Sequence, residues 1–151
     1  MNNCINTADQ ILNKLDRLSK VLMTPRYKYY NANPMKHRTT DCVIRAIGTA
    51  LNKSWDDVLK DLSNYSLKYK YFITSVELYE IYLRDNGWKK HDTPHKKNGN
   101  EYILSEWLEM HRFEAIVTIN DNHLTYVNNG CVYDIWNCTT ETVNEFWTQN
   151  K

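Results

Sequence analysis

Residues 123–134 (HLTYVNNGCVYD) constrain the fold of this chain more than any other segment, because they specify a β-hairpin together with its register. The Asn-Gly pair at 129–130 stands between two alternating apolar stretches, which is a strong short-range signal for a two-residue hairpin turn. Counting outward from that turn places Thr125 opposite Asp134. His123 and Asp134 then project from the same face as diagonal neighbours, about 7–8 Å apart and within reach of two side chains.

The chain before this hairpin has helical periodicity. Residues 1–23 carry Ile11 and Leu15 at helical spacing and predict an amphipathic helix that packs on the domain or on a partner. Residues 24–40 contain two prolines and no periodicity, which predicts a loop. From Asp41 onward the apolar sequence VIRAIGTAL predicts a helix that is buried on most sides.

Three more helices are predicted between this buried helix and the strands. Two of them begin after Ser54 and Ser75, which are both residue types that cap helix N-termini. The charged residues 89–100 predict a loop, and a short helix is expected within residues 101–111.

The last third of the chain changes to a period of two, which is typical of strands. The segment EAIVTIN predicts a strand before the hairpin, and residues 140–150 fit either a short helix or a final edge strand. Helices followed by an antiparallel sheet predict an α+β fold. The 151 residues suit one domain spanning the whole chain.

Composition and charge argue against several functional classes. The formal net charge is +1, so the basic excess of nucleic-acid-binding proteins is missing, and the segments RYKYYN and KHR are interpreted as solvated loop. No apolar run is long enough to span a bilayer, and the N-terminal residues lack the pattern of a secretory signal, which predicts a cytoplasmic protein. A bias towards Asn, Lys, Ile and Tyr is typical of AT-rich genomes and predicts a bacterial or phage source.

The four cysteines favour reduced thiols over a disulfide framework. Cys4, Cys42, Cys131 and Cys138 have neither the density nor the spacing of disulfide-rich domains. No Cys or His pair has the close spacing of a structural zinc site, so no metal and no cofactor are predicted. A thiol is therefore available for chemistry.

Cys42 is the thiol best placed to react. A helix that begins at Asp41 places Cys42 at its N-terminus, where the backbone amides and the helix dipole stabilise a thiolate. A cysteine in an apolar helix is more often a core residue, so the hypothesis needs a partner base. His123 can supply that base, and Asp134 can orient it, which together suggest a nucleophilic triad.

The order of these three residues resembles the papain-like cysteine peptidase superfamily. The sequence DC before an apolar helix, with the later HLTYVNNGCVYD, is most similar to the double-glycine peptidase domains that process bacteriocin leaders. The resemblance implies a papain-like α+β fold in which the nucleophile helix packs on a C-terminal antiparallel sheet. It implies a cysteine peptidase or related thiol hydrolase that cleaves an amide or isopeptide bond of a protein or peptide substrate through an acyl-enzyme. Cys42, His123 and Asp134 would be its catalytic residues.

Papain-like enzymes usually place a Gln before the nucleophile as an oxyanion-hole donor, and residues 24–41 contain none. Asn33, His37 and Thr40 are the candidate donors, beside the backbone amide of Cys42. Asn137 is the reserve partner for His123, because a hairpin loop longer by one residue would reverse which side chains share its face.

Two other functions remain open at this point. An acyltransferase or transglutaminase-like enzyme would use the same three residues and pass the acyl group to an amine. A non-catalytic binding protein on a papain-like fold, such as a phage or mobile-element factor acting on a host protein, would use the N-terminal helix or the aromatic-basic loop as its contact surface.

Overall fold

The computed structural model describes residues 2–23 and 26–150, with side chains described for 7–19 and 26–150. The described residues form an α+β fold of five helices and one six-stranded sheet. The helices are α1 Asn2–Met23, α2 Cys42–Leu51, α3 Trp55–Tyr69, α4 Val76–Asp85 and α5 Leu104–Met110. The strands are β1 Tyr27–Tyr29, β2 Trp88–His91, β3 Ala115–Ile119, β4 His123–Asn128, β5 Cys131–Asp134 and β6 Val143–Gln149. No described helix is both long and apolar enough to cross a membrane.

The sheet has the strand order β1-β5-β4-β3-β6-β2. All neighbours pair antiparallel except β1 and β5, which pair parallel. The observed strands and their order correct three expectations. The predicted loop 24–40 contains strand β1, and the predicted loop 89–100 begins with the last three residues of β2. The tail is strand β6, which lies between β3 and β2 and so is not at an edge.

The hairpin register predicted from the Asn-Gly turn is confirmed. Asn129 and Gly130 have φ values of 50° and 74°, as a two-residue turn with left-handed residues requires. Asn128 pairs with Cys131, and the side-chain hydroxyl of Thr125 reaches Asp134 across the strands. This register carries His123 to the start of β4 and Asp134 to the end of β5.

The core consists of two clusters on opposite faces of the sheet. Successive residues of β3 divide between them, because Ile116 packs with α2, α3 and α4 while Val117 packs with α5. Helix α2 lies against β4 and is buried along most of its length, from Val43 to Gly48. Burying the helix on this strand brings its first residue, Cys42, next to the start of β4.

The other predicted helices are confirmed, with one difference of environment. Helix α3 follows Ser54, whose hydroxyl accepts the Asp57 backbone N–H at 3.1 Å, and α4 follows Ser75. Helix α1 is amphipathic as expected, and four of its described apolar side chains remain largely exposed. They are about half exposed, at 49–62%, and are Ile11, Leu12, Leu15 and Leu18.

A Cys-His-Asp cluster as the candidate active site

Cys42 is the first residue of α2 and lines a surface cleft of about 480 Å³. Its side chain is partly exposed, unlike those of Cys131 and Cys138, which are buried. His123 and Trp136 line the same cleft. The remaining lining residues are Thr39, Thr40, Val43, Arg45, Thr74, Asn122 and Ile135. A ligand in this cleft would meet both the thiol and the imidazole.

Asp134 holds the imidazole of His123 by a short hydrogen bond. His123 Nε2 lies 2.6 Å from Asp134 Oδ2, which also accepts the Thr125 hydroxyl at 2.6 Å. The other carboxylate oxygen, Oδ1, accepts the Ile135 backbone N–H at 2.7 Å and the Arg45 guanidinium at 2.8 Å. Both oxygens of this buried carboxylate therefore have two partners, and its orientation is fixed.

The hydrogen bond to Asp134 decides which ring nitrogen faces Cys42. An ionised carboxylate only accepts hydrogen bonds, so His123 Nε2 carries the proton. Nε2 then cannot also accept the Trp136 indole N–H, although Trp136 Nε1 is 3.2 Å away. Trp136 instead covers the ring, with ring centroids 5.1 Å apart. Nδ1 is the nitrogen left for Cys42.

The electrostatics of the cluster favour a thiolate–imidazolium pair. Burial alone would lower the pKa of His123, but the hydrogen bonds and negative charges of Asp134 and Cys42 raise it to about 9. Burial alone would raise the pKa of Cys42, but hydrogen bonds with His123 and the Leu124 backbone outweigh it and lower the pKa below its usual value. The cations of His123 and Arg45 act in the same direction. His123 is therefore protonated at neutral pH, and its charge favours the thiolate form of Cys42 over the thiol.

The high pKa of His123 gives the first testable prediction. We expect NMR titration of the imidazole to show a pKa of about 9 in the wild-type protein. In Asp134→Asn the value should fall towards the ordinary 6.5, because the amide carries no charge to stabilise the imidazolium. Asp92→Asn, at an exposed residue after the edge strand β2, is the control and should leave the titration unmoved. A wild-type value near 6.5 would contradict the ion pair.

The structure separates the predicted oxyanion candidates. Asn33 is buried and donates its amide to Asp41 at 3.0 Å, so its side chain does not face the cleft. His37 is exposed outside the cleft lining, and its backbone carbonyl accepts the Asn31 amide. Thr40 is the one candidate of the three that lines the cleft. The structure therefore brings only Thr40 to the cleft, because the Asn33 amide is used within the loop and His37 lies outside the cleft lining.

Asn137 does not contact His123. It is exposed, and its side-chain oxygen accepts the backbone N–H and the hydroxyl of Thr139. The two-residue turn is the reason, since a longer loop was the condition for using this reserve partner. Asp134 occupies the position beside the imidazole instead.

Three residues of the site were not among the site residues predicted from the sequence. Thr125 donates to Asp134, and the predicted register, which set the two opposite each other, was the signal for that contact. Arg45 bonds to Asp41 and Asp134, and its signal was its place in an apolar helix, where an arginine has to pair with a carboxylate or reach a surface. Asn122 lines the cleft beside His123, and no sequence signal marks it.

Cys138 makes a second grouping with the same two residues. The ligand atoms of His123, Asp134 and Cys138 lie within 4.8 Å of one another, a spacing that could hold a metal ion. Burial and the charge of Asp134 raise the pKa of Cys138 to about 12, so this thiol is protonated. A cation would have to displace that proton and the hydrogen bonds that already saturate Asp134. The donor set therefore fits a triad better than a metal centre.

In comparisons with known proteins, no family model, curated protein or solved structure matches the chain. The function is therefore inferred from the geometry of the site.

Proposed function

We propose that this protein is a papain-like thiol hydrolase that cleaves an amide or isopeptide bond of a protein or peptide. The observation that carries the proposal is the cleft in which Cys42, at a helix N-terminus, meets His123, which is held by Asp134 at 2.6 Å. Nucleophile, base and orienting carboxylate in this order are the arrangement that nucleophilic catalysis requires. The cytoplasm, where thiols stay reduced, is the proposed location.

Acylation uses the thiolate–imidazolium pair directly. The Cys42 thiolate attacks the carbonyl carbon of the substrate, forming a carbon–sulfur bond and a tetrahedral oxyanion. As the carbon–nitrogen bond breaks, His123 gives its Nδ1 proton to the leaving amine, and a thioester remains. Asp134 stays ionised and holds the ring by accepting the hydrogen bond from Nε2–H. The Cys42 backbone N–H and the Thr40 side chain are the proposed oxyanion donors, since both lie at the cleft.

Deacylation reverses the proton flow. Neutral His123 removes a proton from water, the resulting hydroxide attacks the thioester carbonyl, and the carbon–sulfur bond breaks to restore the thiolate. An amine in place of water would give acyl transfer from the same intermediate. The two reactions share all three residues and differ only in the nucleophile that enters the cleft.

An activated ester tests the proposed function without knowledge of the natural substrate. We expect p-nitrophenyl acetate to release a burst of p-nitrophenolate, followed by slower turnover, because acylation precedes hydrolysis. Mass spectrometry of the quenched protein should locate the acetyl group on Cys42. The buried thiols Cys131 and Cys138 serve as internal controls and should stay unmodified.

Two outcomes would contradict the proposal. The first is acetylation of Cys42 no faster than that of a free thiol at the same pH. The second is a thioester that forms but persists without hydrolysis in water, which would favour an acyltransferase if added amines then release it, or a binding protein if they do not.

A further inference from the structure

Arg45 is a buried arginine that joins two carboxylates from distant parts of the chain. Only 6% of the residue is exposed. Its Nε donates to Asp41 Oδ1 at 2.7 Å, and its Nη1 donates to Asp134 Oδ1 at 2.8 Å. The guanidinium thus links α2, the loop before it and the end of β5.

We propose that Arg45 is a positioning residue that locks the nucleophile helix to the carboxylate of the His123–Asp134 pair, so that Cys42 and the imidazole keep their mutual geometry. This inference rests on the proposed function. Arg45 follows Cys42 by three residues on the same helix, less than one turn away, so a bond at Arg45 also fixes Cys42. No other described side chain of α2 is bonded to Asp134.

Arg45 first determines how the oxygens of Asp134 are divided. With Oδ1 taken by Arg45 and the Ile135 N–H, Oδ2 is left for His123 and Thr125. Without the guanidinium, the carboxylate could rotate and exchange its oxygens. The imidazole would then lose the fixed acceptor that sets its tautomer and tilt.

Arg45 also directs the charge of Asp41 away from the thiol. Asp41 is the N-cap residue of α2, yet its side chain makes no capping bond to the helix. Its carboxylate instead bonds to Arg45, to the Asn33 amide and to the Trp55 indole N–H. The partial positive charge of the first-turn amides of α2 therefore remains available to the Cys42 sulfur. A capping carboxylate would partly neutralise that charge.

Few groups near Asp134 could supply positive charge in place of Arg45. The titratable and charged groups that face this cluster are Tyr27 on β1, Arg38 and Asp41 before α2, Cys42 and Arg45 on α2, His123 on β4 and Cys138 after β5. Burial and the charge of Asp134 raise the pKa values of Tyr27 and Cys138, so both are neutral at pH 7. Arg38 reaches the Ile135 carbonyl at 3.4 Å, not Asp134. Positive charge at the carboxylate comes from Arg45 and His123.

The decisive variant is Arg45→Lys, which keeps the positive charge but not the planar shape of the guanidinium. A single ammonium group cannot occupy the two points where Nε and Nη1 now donate, so one carboxylate loses its partner. We expect the variant to fold, as monitored by circular dichroism, and to be acylated by p-nitrophenyl acetate about 10²-fold more slowly, the size of effect that a small misplacement causes. Arg45→Gln, which also loses the charge, should show a larger loss.

A second readout separates positioning from folding. The pH at which iodoacetamide alkylation of Cys42 is half-maximal should move upward in Arg45→Lys and further in Arg45→Gln, because the support of the thiolate by His123 and Arg45 is weakened. Arg84→Gln, at an exposed position on α4, is the matched control and should change neither readout.

Each result has a defined meaning. A folded Arg45→Lys variant with wild-type acylation and a wild-type alkylation profile would overturn the inference and leave Arg45 a folding residue. If the wild-type protein forms no acyl-enzyme, the proposed function fails, yet the alkylation profile still shows whether Arg45 positions the Cys42–His123 pair.

Discussion

Replacing Cys42 with alanine is expected to abolish acyl-enzyme formation while the fold is retained. The side chain is partly exposed at the first residue of α2, so the substitution removes little buried volume. No other described thiol lines the cleft, and Cys131 and Cys138 are buried with pKa values raised by burial. The measurement is the p-nitrophenolate burst, which should vanish, together with a urea unfolding curve, which should shift little.

His123→Ala refines this experiment. The thiol remains but loses the imidazolium that lowers its pKa, so acylation should fall by about 10²–10⁴-fold, the usual contribution of a general acid–base residue. Cys131→Ala is the matched control for loss of a thiol outside the cleft and should keep the burst. If the burst is still observed in Cys42→Ala, the assignment of Cys42 as the nucleophile is refuted and the binding-protein alternative is favoured.

The part of the site that could be predicted from the sequence is the part set by local chemistry. The Asn-Gly turn at 129–130 determines the hairpin register, and the register determines that His123 and Asp134 share a face. Likewise, the apolar run after Asp41 predicts the buried helix that has Cys42 at its N-terminus. Each inference needed only residues within a dozen positions of one another.

The part that could not be predicted depends on long-range pairing. Strand β1 has only three residues, too few to establish a period of two, and it forms because β5, about one hundred residues later, offers a parallel edge. The sequence of β2 has the charged composition of a loop, and it forms a strand because it pairs with β6. Asn33 could not be predicted for a different reason. Its amide bonds to Asp41, only eight residues later, but the loop between them has no sequence periodicity that would indicate its path.

The two carboxylates beside Arg45 illustrate this limit most clearly. From the sequence alone, an arginine in an apolar helix has either to pair with a carboxylate or to reach a surface. In the structure its first partner, Asp41, is four residues earlier. Its second partner, Asp134, is separated by 89 residues and meets it only because α2 packs against the sheet. A single guanidinium consequently ties the residue that precedes α2 to the carboxylate that holds His123.

Removing that guanidinium without replacing its charge is expected to destabilise the protein by about 3–5 kcal/mol in Arg45→Met, because two buried carboxylates lose their shared cation. Burial raises the pKa values of Asp41 and Asp134, but their hydrogen bonds, those from Arg45 among them, outweigh it and lower both values in the folded state. A lowered carboxyl pKa stabilises the fold above the unfolded value of about 3.9, and that contribution is lost as the pH falls through the folded value.

In Arg45→Met the two carboxyl groups regain protons at a higher pH than in the wild type, so the loss of unfolding free energy should be greatest near pH 7 and should shrink as the pH is lowered towards 5. Urea unfolding at both pH values measures this. The double variant Arg45→Met/Asp41→Asn, which removes one of the two unpaired charges, should recover part of the loss, whereas Arg84→Met on the surface of α4 should cost little at either pH. A small, pH-independent effect of Arg45→Met would mean that water reaches the carboxylates, and that the cluster is held by its hydrogen bonds to Thr125, Ile135 and Trp55 and not by the buried ion pairs.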